Sequence, residues 1–138
     1  MMRRERGIAL LEALIATLLL AIGLLGAIGM QARAYSALSE ASMRAEASMA
    51  SEKLLALMTI DQLNLASYAY TGSGAASVQL AGWMTETRSA IPGAGVLVQV
   101  SPVAATSRSV INIAISWRRK QGGALNQHVI TSYIATSQ

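Results

Sequence analysis

The sequence contains no cysteine, and charged residues make up only 13% of its 138 residues. Without cysteine the fold cannot be built on disulfides. The single histidine, His128, has no cysteine to complete a zinc site, and we interpret it as a surface residue at a strand end. No serine or threonine lies beside a base in a recognisable catalytic motif. The sequence therefore predicts a protein that is not an enzyme and that carries no cofactor and no metal.

Net positive charge is also scarce. The formal charge is +4, of which residues 1–7 contribute half. Arg118, Arg119 and Lys120 form a basic cluster, which we interpret as a solvated turn that keeps a strand end from pairing wrongly. Contact with DNA or a surface is the alternative. The low charge and the lack of interleaved aromatic residues argue against nucleic acid as a partner, and Trp83 and Trp117 are predicted to be core residues.

One long hydrophobic run is present. Residues 8–30 are 23 consecutive residues with a single charge, Glu12, and 12 of them are Leu or Ile. Those 12 side chains supply about −4 to −7 kcal/mol of insertion free energy, which exceeds the cost of one acidic group near a helix end. A bilayer-spanning helix needs about 20 residues. The run is therefore predicted to insert into a membrane.

The flanking charges predict the orientation of that helix. Arg3, Arg4 and Arg6 precede the run, whereas Arg33 and Glu40, of opposite sign, follow it. The positive-inside rule places the N-terminus in the cytoplasm and the rest of the chain outside it.

Three ordinary interpretations of this N-terminus are possible. A secretory signal peptide would use "QARA", ending at Ala34, as its cleavage site, but its apolar core should be shorter. A twin-arginine signal at Arg3-Arg4 should be followed by a less hydrophobic segment without Glu12. A plain membrane anchor leaves Glu12 and the boundary at Gly7 unexplained, although an ionisable residue within a membrane segment indicates function by default.

The stretches "RRERG" and "IALLEALIA" together resemble the N-terminal signal of type IV pilins and pseudopilins. The resemblance implies cleavage between Gly7 and Ile8 by a prepilin peptidase, followed by N-methylation of the new Ile8 amine. The family's usual opening is close to F-T-L-I-E, and Ile8 and Ala9 depart from it. The implied parts are a leader over residues 1–7, a transmembrane and filament-core helix over 8–30, and an exported domain over 31–138.

Physical chemistry agrees with this resemblance at two residues. Gly7 lets a protease approach the backbone closely. The new amine at Ile8 would be a positive charge at the edge of hydrocarbon, and Glu12 of a neighbouring subunit can pair with it where the dielectric constant is low. The alternative is that Glu12 reaches the membrane interface or is protonated. Gly23, Gly26 and Gly29 weaken the helix and serve either close helix packing or local stretching.

Downstream, good helix formers without Pro or Gly predict that the helix continues to about Leu65. Its covered face is predicted to be an apolar stripe with helical spacing. The stripe consists of Tyr35, Leu38, Ser42, Ala45 and Met49, extended by Leu55 and Met58. Residues 66–82 are rich in Gly, Ser and Ala and are predicted to form a linker or loop.

The last part of the chain predicts a short helix and three strands. "LAGWMTETRSAIPGAG" indicates a helix stopped by Pro92-Gly93. The strand candidates are residues 96–100, 110–117 and 128–136, with a reversal at Gly122-Gly123. The alternation in the second strand puts Ile111, Ile113, Ile115 and Trp117 on one face. The predicted fold class is α+β, with a long N-terminal helix, its first half transmembrane, packed on an antiparallel sheet of three or four strands.

The same region, with Trp83, Pro92-Gly93 and the strand ending at Trp117, resembles the PilV-type minor pilins. That resemblance implies a structural subunit that primes assembly of a type IV pilus or occupies its tip, with roles in adhesion and twitching motility. The implied partners are other minor pilins, the major pilin, the prepilin peptidase and the assembly platform. The implied location is the inner membrane, then the cell-surface pilus. A minor pseudopilin of a type II secretion system and an uncleaved single-pass adhesion or assembly module are the alternatives.

Overall fold

The computed structural model describes residues 5–104, 106–119 and 122–135. Its first element is the helix α1 (Glu5–Ile60), 56 residues long. The chain divides into two compact units by its contacts, residues 1–39 and residues 40–138. Each unit is described separately below.

Helix α1 ends five residues earlier than predicted, at Ile60, and a 3₁₀ helix (Gln62–Tyr68) follows. Asp61 between them has φ −102° and ψ 52°, outside the helical range. Its Oδ1 accepts a hydrogen bond from Asn64 Nδ2 at 2.7 Å, and its carbonyl accepts from the Asn64 N–H at 3.1 Å. Asp and Asn compete in this way with helical hydrogen bonding, which explains the early end.

The predicted loop over residues 66–82 is wrong at its C-terminal end. Helix α2 (Val78–Ala90) begins there because Ser77 caps it, its side chain accepting a hydrogen bond from the Leu80 N–H at 3.3 Å. The end of α2 agrees with the prediction, since Pro92-Gly93 follows it and Gly93 has φ +75°, which favours glycine.

Three strands form an antiparallel meander in the order β1-β2-β3. They are β1 (Gly95–Pro102), β2 (Arg108–Trp117) and β3 (Asn126–Ala135). The predicted inward face of β2 is confirmed, because Ile111, Ile113, Ile115 and Trp117 are at most 1% exposed. Gly122, with φ +77°, lies in the predicted reversal between β2 and β3.

The C-terminal part of α1 packs on this inward face, so the predicted α+β arrangement is confirmed. The packed residues are Ala47, Ser51, Leu54 and Met58, all fully buried. Their spacing of four, three and four residues is that of one helix face.

Most of the predicted stripe of α1 is not the covered face. Of its members, Met58 belongs to the core and Leu55 is partly buried against it. The other five members of the predicted stripe are exposed: Tyr35, Leu38, Ser42, Ala45 and Met49. The covered face includes the small side chains of Ala47 and Ser51, both fully buried, which a pattern of large apolar residues does not mark.

Candidate functional site

The first unit contains one helix whose apolar side chains are uncovered. Thirteen large apolar side chains between Ile8 and Met30 are each at least 48% exposed. The most apolar window of this helix has a mean hydropathy of 2.6 and none of its residues buried. This segment is long and apolar enough to cross a membrane.

Glu12 and Ile8 lie on the same face of this helix. The face comprises Ile8, Leu11, Glu12, Ile15, Ala16 and Leu19. Side chains on an α-helix tilt toward its N-terminus, so the carboxylate of Glu12 extends toward the turn that contains Ile8. A negative charge in the first turn of a helix is also favoured by the helix dipole. If the chain were cut before Ile8, Glu12 would be the fifth residue of the new chain, about one turn from its N-terminus.

The carboxylate of Glu12 has no hydrogen-bond or ion-pair partner among the described residues. Arg44 pairs with Glu40 and Lys53 pairs with Glu86, both in the second unit. Glu12 is surrounded on its face by five apolar side chains. An isolated carboxylate in such surroundings is costly in hydrocarbon, so a membrane setting calls for a cationic partner.

The predicted cleavage junction is only partly described. Gly7 and Ile8 are both within α1, and Ile8 is 67% exposed. Arg3 and Arg4 of the predicted leader lie outside the described residues, as does Lys120 of the basic cluster. Cleavage at Gly7 and methylation of Ile8 remain predictions.

The second unit places its two tryptophans in the core, as predicted. Trp83 is 4% exposed and Trp117 is 1% exposed. The Nε1–H of Trp83 donates to the Ala50 carbonyl at 2.8 Å, which joins α2 to α1. The Nε1–H of Trp117 is buried without a partner in the described part of the chain.

His128 lies near the start of β3, as expected, but on the inward face opposite Ile115. Its side chain is half-buried rather than on the surface, and its Nε2 is buried with no partner among the described residues. Within those residues, no group of three or more His, Cys, Asp or Glu side chains could hold a metal.

A shallow groove of about 200 Å³ runs between α1 and α2 in the second unit. The ion pair between Lys53 Nζ and Glu86 Oε2, at 2.6 Å, lies along it, and Met49 forms part of its apolar floor. This groove could not be predicted from the sequence, because Lys53 and Glu86 are 33 residues apart and no local sequence pattern links them. Both charges are more than half exposed, so the pair adds little stability.

The segment after α1 contains a perturbed tyrosine. The hydroxyl of Tyr68 donates to Oδ2 of Asp61 at 3.1 Å. Burial raises the pKa of Tyr68 above its ordinary value, and the hydrogen bond and negative charge of Asp61 raise this pKa further. This contact holds the 3₁₀ helix against the end of α1.

Comparison with known proteins identifies no relative. No family model, no curated protein and no solved structure matches this chain.

Proposed function

We propose that this protein is a minor pilin, a structural subunit that primes assembly of a type IV pilus or occupies its tip. The observation that carries the proposal is the carboxylate of Glu12, without a described partner, on an uncovered apolar helix one turn after Ile8.

The uncovered helix supports assembly because its apolar surface needs a cover other than water. Side chains such as Leu10, Leu14 and Leu25 are 67–72% exposed in a single chain. Each costs roughly 1.5–3 kcal/mol when left in water rather than buried. Lipid can cover this surface before assembly and helices of other subunits afterwards, which fits a protein that leaves the membrane for a filament.

The position of Glu12 supports processing at the Gly7–Ile8 junction. Cleavage there would create a positive amine on the helix face that carries the carboxylate. Within one chain, the two groups are one turn apart. In a filament, the amine of one subunit meets Glu12 of a neighbour, and the pair fixes the stagger between them. A plain membrane anchor would need neither the amine of Ile8 nor the carboxylate of Glu12.

The second unit supports a structural role. It has a continuous core that joins α1, α2 and the sheet, including Leu54, Trp83 and Ile113. Within the described residues, no group of three or more His, Cys, Asp or Glu side chains could hold a metal. The proposed role of this unit is to present a folded surface outside the membrane.

The first test is the identity of the mature N-terminus. Protein extracted from membranes should begin at Ile8, with an N-methylated amine, when sequenced by mass spectrometry. A mature chain that keeps Met1, or one that begins at Tyr35, contradicts the proposal.

The second test is substitution of Glu12. The variants Glu12→Ala and Glu12→Gln should insert and be cleaved, because removing a charge favours insertion. They should be lost from sheared filaments, because an unpaired buried amine costs about 3–5 kcal/mol. Leu19→Ala is the matched control, since it removes apolar volume from the same helix face without removing a charge.

The ratio of each variant in sheared filaments to that in the inner membrane is the measurement. Entry of both Glu12 variants at the wild-type ratio would show that Glu12 has no role in assembly. Absence of the wild-type chain from purified pili, together with cleavage at Ile8, would indicate a pseudopilin of a type II secretion system instead.

A further inference from the structure

The sheet has two edges, and among the described residues only the β1 edge is paired with another segment. On β1, the Tyr70 N–H donates to the Val98 carbonyl at 2.8 Å, and the Val98 N–H donates to the Tyr70 carbonyl at 2.9 Å. On β3, no backbone hydrogen bond joins the side facing away from β2 to another segment of the described chain. β3 is therefore an open edge strand.

The bridge to Tyr70 fixes which backbone groups face which edge. Because Val98 directs its N–H and C=O toward Tyr70, the next residue, Gln99, directs its own toward β2. Gln99 pairs with Asn112 there. Asn112 thus bonds to β1, and the alternation of an antiparallel ladder makes the following residue, Ile113, bond to β3.

The same alternation carries across to the open edge. Ile113 pairs with Ile130, so Ile130 directs its N–H and C=O toward β2. The residues before and after Ile130, and every second one beyond them, direct these groups away from the sheet. The residues of β3 with outward backbone groups are Gln127, Val129, Thr131, Tyr133 and Ala135.

β3 carries none of the usual protection of an edge strand. Native edges are blunted by charged residues, proline, bulges or very short strands. The ten residues of β3, "NQHVITSYIA", include no Lys, Arg, Asp, Glu or Pro. Its register against β2 is continuous from Asn126 to Ala135, without a bulge. Val129 and Tyr133, which flank the central outward group, are 53% and 66% exposed.

We propose that the β3 edge binds an extended, uncharged strand of another exported protein by β-sheet addition. The outward groups of Val129, Thr131 and Tyr133 supply main-chain hydrogen bonds to that strand. Apolar or β-branched side chains on the strand would pack beside Val129 and Tyr133, as cross-strand pairs do. The charged side chains of a charged strand would lie against Val129 and Tyr133, which offer them no ion-pair partner.

A second copy of the chain is a poorer occupant. In a closed twofold dimer, the same edge of two copies pairs in antiparallel fashion, through a half-turn about an axis perpendicular to the sheet. Residues Ala47 to Met58 of α1 lie along the inward face of the sheet, so this half-turn points the N-terminal ends of the two packed segments in opposite directions. Two copies that insert through residues 8–30 enter the membrane from the same side. This preference for a foreign strand rests on the proposed membrane insertion.

The experiment uses disulfide trapping on the full chain in detergent micelles, since the sequence has no cysteine to interfere. The probe is a peptide of about seven alternating Thr and Val residues with one central Cys and lysines at both ends. The test variant is Thr131→Cys. Residues opposite each other in a hydrogen-bonded antiparallel pair have Cα atoms about 5.5 Å apart, within the range of a disulfide.

The matched control is Gln99→Cys. Gln99 and Thr131 are both exposed and lie in one row across the outer face of the sheet, each paired with Asn112. Gln99 is at the edge covered by Tyr70. Maleimide labelling of the two variants measures thiol accessibility, by which the amounts of peptide adduct are normalised.

The expected result is at least about tenfold more adduct with Thr131→Cys, which corresponds to about 1.4 kcal/mol of strand pairing. Adding Val129→Pro should lower this adduct to the Gln99→Cys level, because proline removes an outward N–H yet is tolerated at a strand edge. Adding Val129→Ala, which keeps that N–H, should preserve most of the adduct.

Two outcomes would overturn the proposal. Equal normalised adduct at Thr131→Cys and Gln99→Cys would show that β3 does not add a strand. A disulfide-linked dimer of Thr131→Cys that forms without peptide and excludes it would show that a second copy occupies the edge. Neither outcome involves filaments, so failure here is distinct from failure of the Glu12 experiment.

Discussion

Leu19 and Leu54 are the same residue type on the same helix, α1, but their environments are opposite. Leu19 is 64% exposed, whereas Leu54 is fully buried in the core with Met58 and Ile113. Among the described residues, the first unit contains only the N-terminal part of α1, whereas the second unit also contains α2 and a sheet. Helix formation is therefore separable from core formation in this chain. The first depends on local sequence, and the second depends on what packs against the helix.

The largest effect is expected when residues 1–34 are removed, which separates the two units. Protein lacking residues 1–34 should be soluble and folded, because the most apolar exposed surface lies before Arg33 and the core lies between Ala47 and Ile134. Circular dichroism should show mixed helix and strand with a cooperative thermal transition. An aggregated or disordered product would mean that the second unit depends on the first or on other subunits.

Two leucine substitutions, one in each unit, measure how much each environment contributes to the free energy of unfolding. Leu54→Ala should lower the free energy of unfolding by about 2–5 kcal/mol, because it leaves a cavity among buried residues. Leu19→Ala should change it by less than about 0.5 kcal/mol, since no core is disturbed. Denaturant unfolding of the full chain in micelles, followed by tryptophan fluorescence, measures both. Equal losses for the two variants would contradict the division into a packed and an unpacked unit.

The two tryptophans test how α2 is joined to α1. Trp83→Phe removes the hydrogen bond to Ala50, while Trp117→Phe removes an N–H that has no partner in the described chain. Trp83→Phe should therefore lower the free energy of unfolding by about 1 kcal/mol more than its control, Trp117→Phe, does. Chemical denaturation followed by far-ultraviolet circular dichroism gives the difference. A larger loss in Trp117→Phe would show that packing, rather than this hydrogen bond, dominates.

The smallest effect is expected at high pH, in the second unit. Because the folded-state pKa of Tyr68 is raised, the folded protein holds this proton at pH values where the unfolded chain has lost it. The unfolded state then binds fewer protons, so stability falls as the pH rises above about 10, the ordinary pKa of tyrosine. Tyr68→Phe should flatten this part of the stability profile, measured as thermal midpoint against pH. An unchanged slope would assign the loss to other groups.

Several elements were predictable because the signal for each is local. The strict alternation at Ile111, Ile113, Ile115 and Trp117 identified the buried face of β2, since a strand with one covered face must alternate. Pro92-Gly93 marked the region where α2 stops. The start of α2 was missed because a Gly- and Ser-rich stretch hides the cap that Ser77 provides.

The covered face of α1 could not be predicted, because two stripes of the helix compete. The predicted stripe contains the large apolar residues Leu38 and Met49, but both of these side chains are exposed. The other stripe contains Ala47 and Ser51, whose small side chains admit close packing, and it is the buried one. Hydrophobic periodicity counts apolar residues on a helix and has no information about the shape of the surface that will meet them.

The long apolar helix, the single charge of Glu12 after Gly7-Ile8 and the alternation of the strands follow from the sequence alone. They depend on periodicity and charge that are local in the chain. Only the tertiary structure decided which face of α1 is buried, that Tyr70 closes one edge of the sheet, and that β3 leaves the other open. These features join residues far apart in the chain. Their free energies arise from packing and main-chain pairing that exist only after the chain has folded.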